Sequence, residues 1–373
     1  MPDQQNEKTK LTTADLAVLS KDAYNPTPAK EVVERMKAAG YSPMTIENNA
    51  ATGFFARVWV NDRDKTVIIA NRGTDTRTLG ENARDLATDA QFHQFGDLAP
   101  AKNAGVNGTV GELARIGANA AERIGVGAVR SFGQPGLAEV EALRHDPRDR
   151  LDDQFKDALT LVKPTLDAHP GYRVIATGHS LGGGLAQLQN RVFGAAAVTF
   201  DAPGAEGLAN SDPFRRFAET VKPGYAYNTA RGEVHNFVGR ATLIGNEAFT
   251  GRHIGGTESE RIDTGTRASG RASMLDAGKQ LATGALKMAA GPTFPGAIGA
   301  APDIAKAGAD LARFGAGVIE THSMDRFIAA LQGPQQHIGN RSMDDLVGVS
   351  PVERAAREAQ SRGPGRSELA DRE

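Results

Sequence analysis

Apolar side chains recur along this chain at two spacings, one suited to strands and one to helices. Thr12 and Thr13 precede Leu16, Leu19 and Tyr24 and predict a capped amphipathic helix. Phe54 to Val60 is rich in aromatic and β-branched residues and predicts a strand. Thr66-Val-Ile-Ile-Ala70 is almost continuously apolar, the mark of a strand buried on both faces. Phe155, Leu159, Val162 and Leu166 fall at helical spacing until His169-Pro170-Gly171 stops the helix. Two further runs follow, Arg173 to Thr177 and Ala195 to Phe200, the second closed by a turn at Pro203-Gly204. Strand, helix, strand, helix, strand predicts α/β layers around a mostly parallel sheet.

Two segments interrupt that pattern. Residues 96–136 hold 17 Gly or Ala in 41 positions, and residues 264–318 hold 25 in 55. Both are expected to be insertions into one α/β core spanning residues 1–334, with a helical stretch at Met274 to Met288 in the second. No fixed period marks a repeat fold. Beyond Pro334 the apolar periodicity fades, so residues 335–373 are expected to be a disordered tail.

Composition narrows the chemistry. The formal charge is −2, too even for a strong basic field, so no nucleic-acid partner is expected. The absence of cysteine excludes disulfides, thiolate metal sites and a cysteine nucleophile. The polar start MPDQQNEKTK lacks the apolar run of a signal peptide, and no stretch is apolar for long enough to span a bilayer.

The strongest chemical signal is Gly178-His179-Ser180-Leu181-Gly182, a G-x-S-x-G pentapeptide directly after a predicted buried strand. A serine on a sharp strand-to-helix turn presents its hydroxyl, and glycines at 178 and 182 avoid collision with the neighbouring strand and helix. The helix start aims free N–H groups at the site, which suits an oxyanion. Ser180 is the expected nucleophile.

Four segments together resemble the class 3 lipase family: Ala70-Asn-Arg-Gly-Thr74, Asp85-Leu-Ala-Thr-Asp89, Gly178-His-Ser-Leu-Gly-Gly183 and Thr199-Phe-Asp-Ala-Pro-Gly204. Leu19, Ala23-Tyr24 and Gly53-Phe54 look similar to its bacterial phospholipase A1 branch. The resemblance covers about residues 11–95, 150–262 and 320–332 and implies an α/β-hydrolase fold.

A triad serine needs a base and an orienting acid, in the chain order Ser, acid, His. His322, in Thr321-His-Ser-Met-Asp-Arg-Phe-Ile328, is similar to the family's C-terminal histidine and is the expected base; His253 is the rival. His235 and His337 fit less well, and His179 is expected to be a packing residue. The family's acid is an aspartate in a Gly-Asp-x-Val context, and the stretch that matches here carries Glu233. Glu233 is therefore the expected acid, with Asp201 and Asp263 as alternatives; Asp201 follows its strand too soon for the family order.

The backbone N–H of Leu181 and, by resemblance, that of Thr74 form the expected oxyanion hole, with Asp89 bracing Thr74. With these assignments, the resemblance implies a metal-free and cofactor-free hydrolase of phospholipid or acylglycerol esters at a membrane or micelle surface. The Gly/Ala-rich insertions are its expected interfacial covers. An acyltransferase, a soluble-ester esterase and a non-catalytic interaction protein are the alternatives, the last favoured by the unusual Glu233. Export without a cleaved signal and an accessory or immunity protein as partner are further expectations.

Overall fold

A computed structural model of the chain describes residues 10–73, 151–224, 233–240, 242, 245, 247, 251–255, 259–265 and 322–361. Among the described residues, seven strands form one sheet in sequential order: β1 Ser42–Asn49, β2 Phe54–Asn61, β3 Thr66–Asn71, β4 Arg173–His179, β5 Ala196–Phe200, β6 Val234–Gly239 and β7 Glu260–Ile262. The first three run antiparallel, and β3 through β7 are parallel. Every residue of β2 and β3 is buried, in accord with their apolar runs.

Parallel neighbours joined in sequence by right-handed crossovers place the connecting helices on one face, as seen among the described residues. That face holds α3 Asp153–Thr160, α4 Lys163–Ala168, α5 Leu181–Phe193, α6 Glu206–Ala209 and α7 Asp212–Val221. Phe155, Leu159, Leu185 and Phe214 pack there on Val58, Val67 and Ile69. The opposite face carries α1 Thr13–Asp22, α2 Lys30–Ala38 and α8 Met324–Gln332. Leu16, Met36, Phe327 and Leu331 meet Trp59, Ile68 and Phe200 on that side. The α/β expectation is met: a mostly parallel mixed sheet lies between two helical layers.

Local chemistry accounts for the helix ends. Thr12 and Asp15 form a reciprocal capping box at the start of α1. The helix stops at Asp22, so Tyr24 lies in the turn beyond it rather than on its apolar stripe. The apolar stripe from Phe155 to Leu166 is divided between α3 and α4, because Pro164 at the start of α4 has no N–H with which to continue α3.

The expected disordered tail requires correction. Residues beyond Pro334 form α9 Gln336–Gly339, α10 Met343–Val347 and α11 Pro351–Ser361. Met343, Leu346 and Val347 are buried against the α1 layer, and the Met343 N–H donates to the Leu11 carbonyl at 2.8 Å. Ser342 and Asp345 cap α10 reciprocally. Three apolar contacts on a five-residue helix are too few to register as a periodic pattern. Residues 96–136, 266–318 and 362–373 lie outside the described residues. Among the described residues, no helix is long and apolar enough to cross a membrane.

The register brings the carboxyl ends of the parallel strands to one level: Asn71 pairs with Gly178, His179 with Phe200, and Phe200 with Phe237. The residues that follow those ends therefore converge, where open α/β sheets commonly place their ligand sites.

Candidate active site

Ser180 follows the last residue of β4 and precedes the first residue of α5, with φ 57° and ψ −134°. This backbone conformation is strained for a residue with a β-carbon and turns the side chain out of the strand. The crossing is tight enough to exclude larger residues on both sides. A β-carbon on Gly178 would sit 2.3 Å from the Gly182 carbonyl carbon, and one on Gly182 would sit 2.4 Å from the Asn71 carbonyl oxygen. Leu181 opens α5, so its N–H has no intrahelical acceptor and points out of the helix start.

β3 delivers a second loop to the same place. A β-carbon on Gly73 would lie 2.3 Å from the Tyr24 hydroxyl, 2.4 Å from the His179 carbonyl oxygen and 3.3 Å from the Ser180 β-carbon. The Arg72-Gly73 backbone thus runs directly beside the serine. A buried amide pair anchors this loop. Asn71 Nδ2 donates to Gln189 Oε1 at 2.9 Å, and Gln189 Nε2 donates back to Asn71 Oδ1 at 3.0 Å. The end of β3 is thereby tied to α5. Thr74 and Asp89 lie outside the described residues.

His322 stands just before α8 and is half-buried. Its Nδ1 lies 2.5 Å from Asp201 Oδ2, while its Nε2 is buried with no hydrogen-bond partner among the described residues. The carboxylate accepts, so Nδ1 carries the proton and Nε2 keeps a lone pair. Asp201 follows β5, adopts φ 49° and is fully buried; its Oδ1 accepts the Gly239 N–H at 3.2 Å. Its N–H donates to the Phe237 carbonyl at 2.7 Å, and the Ser180 N–H donates to the Phe200 carbonyl at 3.1 Å. Serine and aspartate thus occupy equivalent turns at the ends of adjacent strands.

Glu233 requires correction as the partner of His322. It is exposed, and its carbonyl accepts the Ala197 N–H at the amino-terminal edge of β6, the opposite end of the sheet. Five residues separate it from Val238, which is level with Asp201. At roughly 3.3 Å per residue that places it about 16 Å away.

The other histidines are engaged elsewhere. His253 is buried, with Nε2 donating to the Gly245 carbonyl at 3.1 Å and Nδ1 facing Gln187 Nε2 at 3.3 Å. Burial pushes its pKa below the ordinary 6.5. His235 Nε2 donates to the Leu346 carbonyl at 2.6 Å, and His337 sits on α9. Asp263 lies 3.7 Å from Arg240 in an exposed ion pair.

His179 is drawn into the cluster. Its ring lies 4.3 Å from that of His322, its Nε2 is 2.8 Å from the His322 carbonyl oxygen, and its Nδ1 is 3.0 Å from the Tyr24 hydroxyl. Burial first, and the neighbouring His322 second, hold its pKa well below 6.5. Ligand atoms of His179, Asp201 and His322 lie within 4.8 Å of one another, close enough to surround a metal ion. Internal hydrogen bonds already occupy both nitrogens of His179 and Nδ1 of His322, which leaves His322 Nε2 as the ring nitrogen still open. That arrangement suits proton transfer better than metal ligation.

Comparison with known proteins bears on the same region. Residues 69–197 match the class 3 lipase family. A Candida glabrata protein named "Putative lipase ATG15" is 27% identical over 207 residues, 55% of this chain and 37% of that protein. Its Kluyveromyces lactis namesake is 47% identical over 55 residues, 15% of this chain and 10% of that protein. The chain thus spans about a third or less of the length of these relatives. They are fungal, whereas the amino-terminal segment had pointed to bacterial phospholipases A1. Among solved structures, lipase II from Rhizopus niveus is similar at 18% identity and a TM-score of 0.32, over 67% of this chain and 78% of that one.

Proposed function

We propose that this chain, a class 3 lipase over residues 69–197, hydrolyses the carboxylic esters of lipids through a Ser180–His322–Asp201 triad. The observation that carries the reading is the His322 imidazole, bound through Nδ1 to a buried carboxylate and left with an open Nε2. Ser180 Oγ attacks the ester carbonyl while its proton passes to His322 Nε2. Asp201 keeps the other ring proton on Nδ1 and stabilises the imidazolium that forms. The Leu181 N–H, joined by that of Thr74, receives the negative charge of the tetrahedral intermediate. Collapse expels the alcohol, which takes the proton from His322, and leaves an acyl group on Ser180. Water, deprotonated by the same imidazole, then releases the fatty acid and restores the serine.

The substrate in this reading is a phospholipid or acylglycerol presented at a membrane or micelle surface. Fatty-acid release from positionally labelled phospholipid vesicles and from triacylglycerol emulsions tests it. Release by the wild type from at least one lipid, and none by Ser180→Ala, is the expected result. Equal release by both proteins, or release from neither lipid, counts against it.

A further inference from the structure

We propose that His179, the residue before the nucleophile, is a positioning residue that holds the backbone of His322, with Tyr24 fixing the imidazole in the tautomer this requires. The inference rests on the triad reading and adds two side chains to it.

The contact is directional. The His322 carbonyl oxygen can only accept, so His179 Nε2, 2.8 Å away, must carry a proton. The remaining nitrogen, Nδ1, must then accept, and the Tyr24 hydroxyl stands 3.0 Å from it as the donor. Burial keeps the ring neutral, so a single ring proton is available and this network assigns it to Nε2. The other tautomer would set two lone pairs against each other at the carbonyl.

The bond joins two segments 143 residues apart, the end of β4 and the turn before α8. Ser180 is covalently next to one partner, and the His322 imidazole belongs to the other. The separation between nucleophile and base therefore depends on this link. The tilted contact of the two rings, 4.3 Å between centroids and 34° between planes, restricts rotation of the base as well.

Tyr24 is itself held from below. Asp22 and Arg57 form a fully buried ion pair at the end of α1, and Arg57 also donates to the Asn25 carbonyl at 2.7 Å. Asp22 accepts the Ala29 N–H at 2.9 Å, which closes the turn around Tyr24. Gly73 packs against the Tyr24 hydroxyl, so the same tyrosine meets the loop expected to supply the oxyanion hole.

A packing role predicts that an apolar ring of similar volume suffices at 179. A positioning role requires a donor at the place of Nε2. His179→Phe keeps the volume and removes the donor, whereas His179→Gln returns an N–H to about the same position. On a soluble short-chain ester, His179→Phe is expected to lower kcat about tenfold to a hundredfold at unchanged KM, the scale of a base displaced by a fraction of an ångström to one ångström. His179→Gln should recover most of that loss. Tyr24→Phe deletes one oxygen atom, and it should lower kcat severalfold at unchanged KM, whether or not His179→Phe folds. Wild-type kcat in Tyr24→Phe, or a folded His179→Phe as active as His179→Gln, overturns the proposal. Ser180→Ala separates the two levels. If it retains activity, the triad reading itself fails; if it is inactive while His179→Phe and Tyr24→Phe are fully active, only this inference fails.

Discussion

Asp201→Asn removes a charge from the buried end of β5 and almost no volume. The asparagine carbonyl can keep the Gly239 N–H that Oδ1 now accepts at 3.2 Å, so the fold should persist. Its amide would then face His322 Nδ1, where a carboxylate oxygen now lies at 2.5 Å. Nδ1 must become the acceptor, the ring proton moves to Nε2, and the lone pair that would receive the Ser180 proton disappears. The corresponding substitution in a Ser-His-Asp protease costs about 10⁴ in turnover, or about 5.4 kcal/mol at roughly 1.36 kcal/mol per tenfold. Glu233→Gln provides the contrast. Its side chain is exposed, and its backbone stands about 16 Å from the level of Asp201, beyond a Debye length of about 10 Å. Less than a twofold change is expected there. Turnover of a short-chain nitrophenyl ester, with Tm measured beside it, reads both variants. Asp201→Asn within tenfold of wild type, or a hundredfold loss in Glu233→Gln at unchanged Tm, would rule out Asp201 as the carboxylate on which His322 depends.

Further outcomes follow from the same geometry. His179 and His253 have lowered pKa values in the fold but titrate near 6.5 when unfolded, so below about pH 6.5 the unfolded chain binds more protons. Stability should fall as pH drops through that window, by up to about 1.4 kcal/mol per pH unit for each histidine, and His253→Gln should flatten the slope measured by denaturant titration. A slope unchanged by that substitution counts against it. Gln189→Leu orphans the buried Asn71 Oδ1 and should cost about 1–3 kcal/mol; the double variant Asn71→Leu/Gln189→Leu should then be less than additive in the same titration. Gly73→Ala would force a methyl group to 2.3 Å from the Tyr24 hydroxyl, and kinetic assay should show a loss of at least about tenfold in kcat.

Much of this arrangement was legible in the sequence, and the illegible part has identifiable physical causes. β2 through β5 could be read because strands buried on both faces are apolar at nearly every position. β1, Ser42–Asn49, is mostly polar, and β7 has three residues, so neither carries a periodic signal. Ser180 was recognisable because its demands are local: a strand, two glycines and a helix start within a few residues. The partner of His322 was not. Glu233 was favoured on its place in a family pattern, whereas register decides which carboxylate lies level with the serine. One clue was available: Asp201 directly follows the strand that comes next after the nucleophile strand, and parallel neighbours finish side by side. Tyr24 and His179 meet across 155 residues, a pairing that no spacing rule encodes.

Covalent trapping reports whether Ser180 is an activated nucleophile. A fluorophosphonate ester reacts only with a serine whose base and oxyanion donors are in place, and tandem mass spectrometry of the digested protein then locates the adduct. A Ser180–His322–Asp201 triad predicts one stoichiometric adduct on Ser180, formed by the wild type, nearly absent in Asp201→Asn and absent in His322→Ala. An adduct on another residue, or equal labelling of Ser180 in all three proteins, would contradict it.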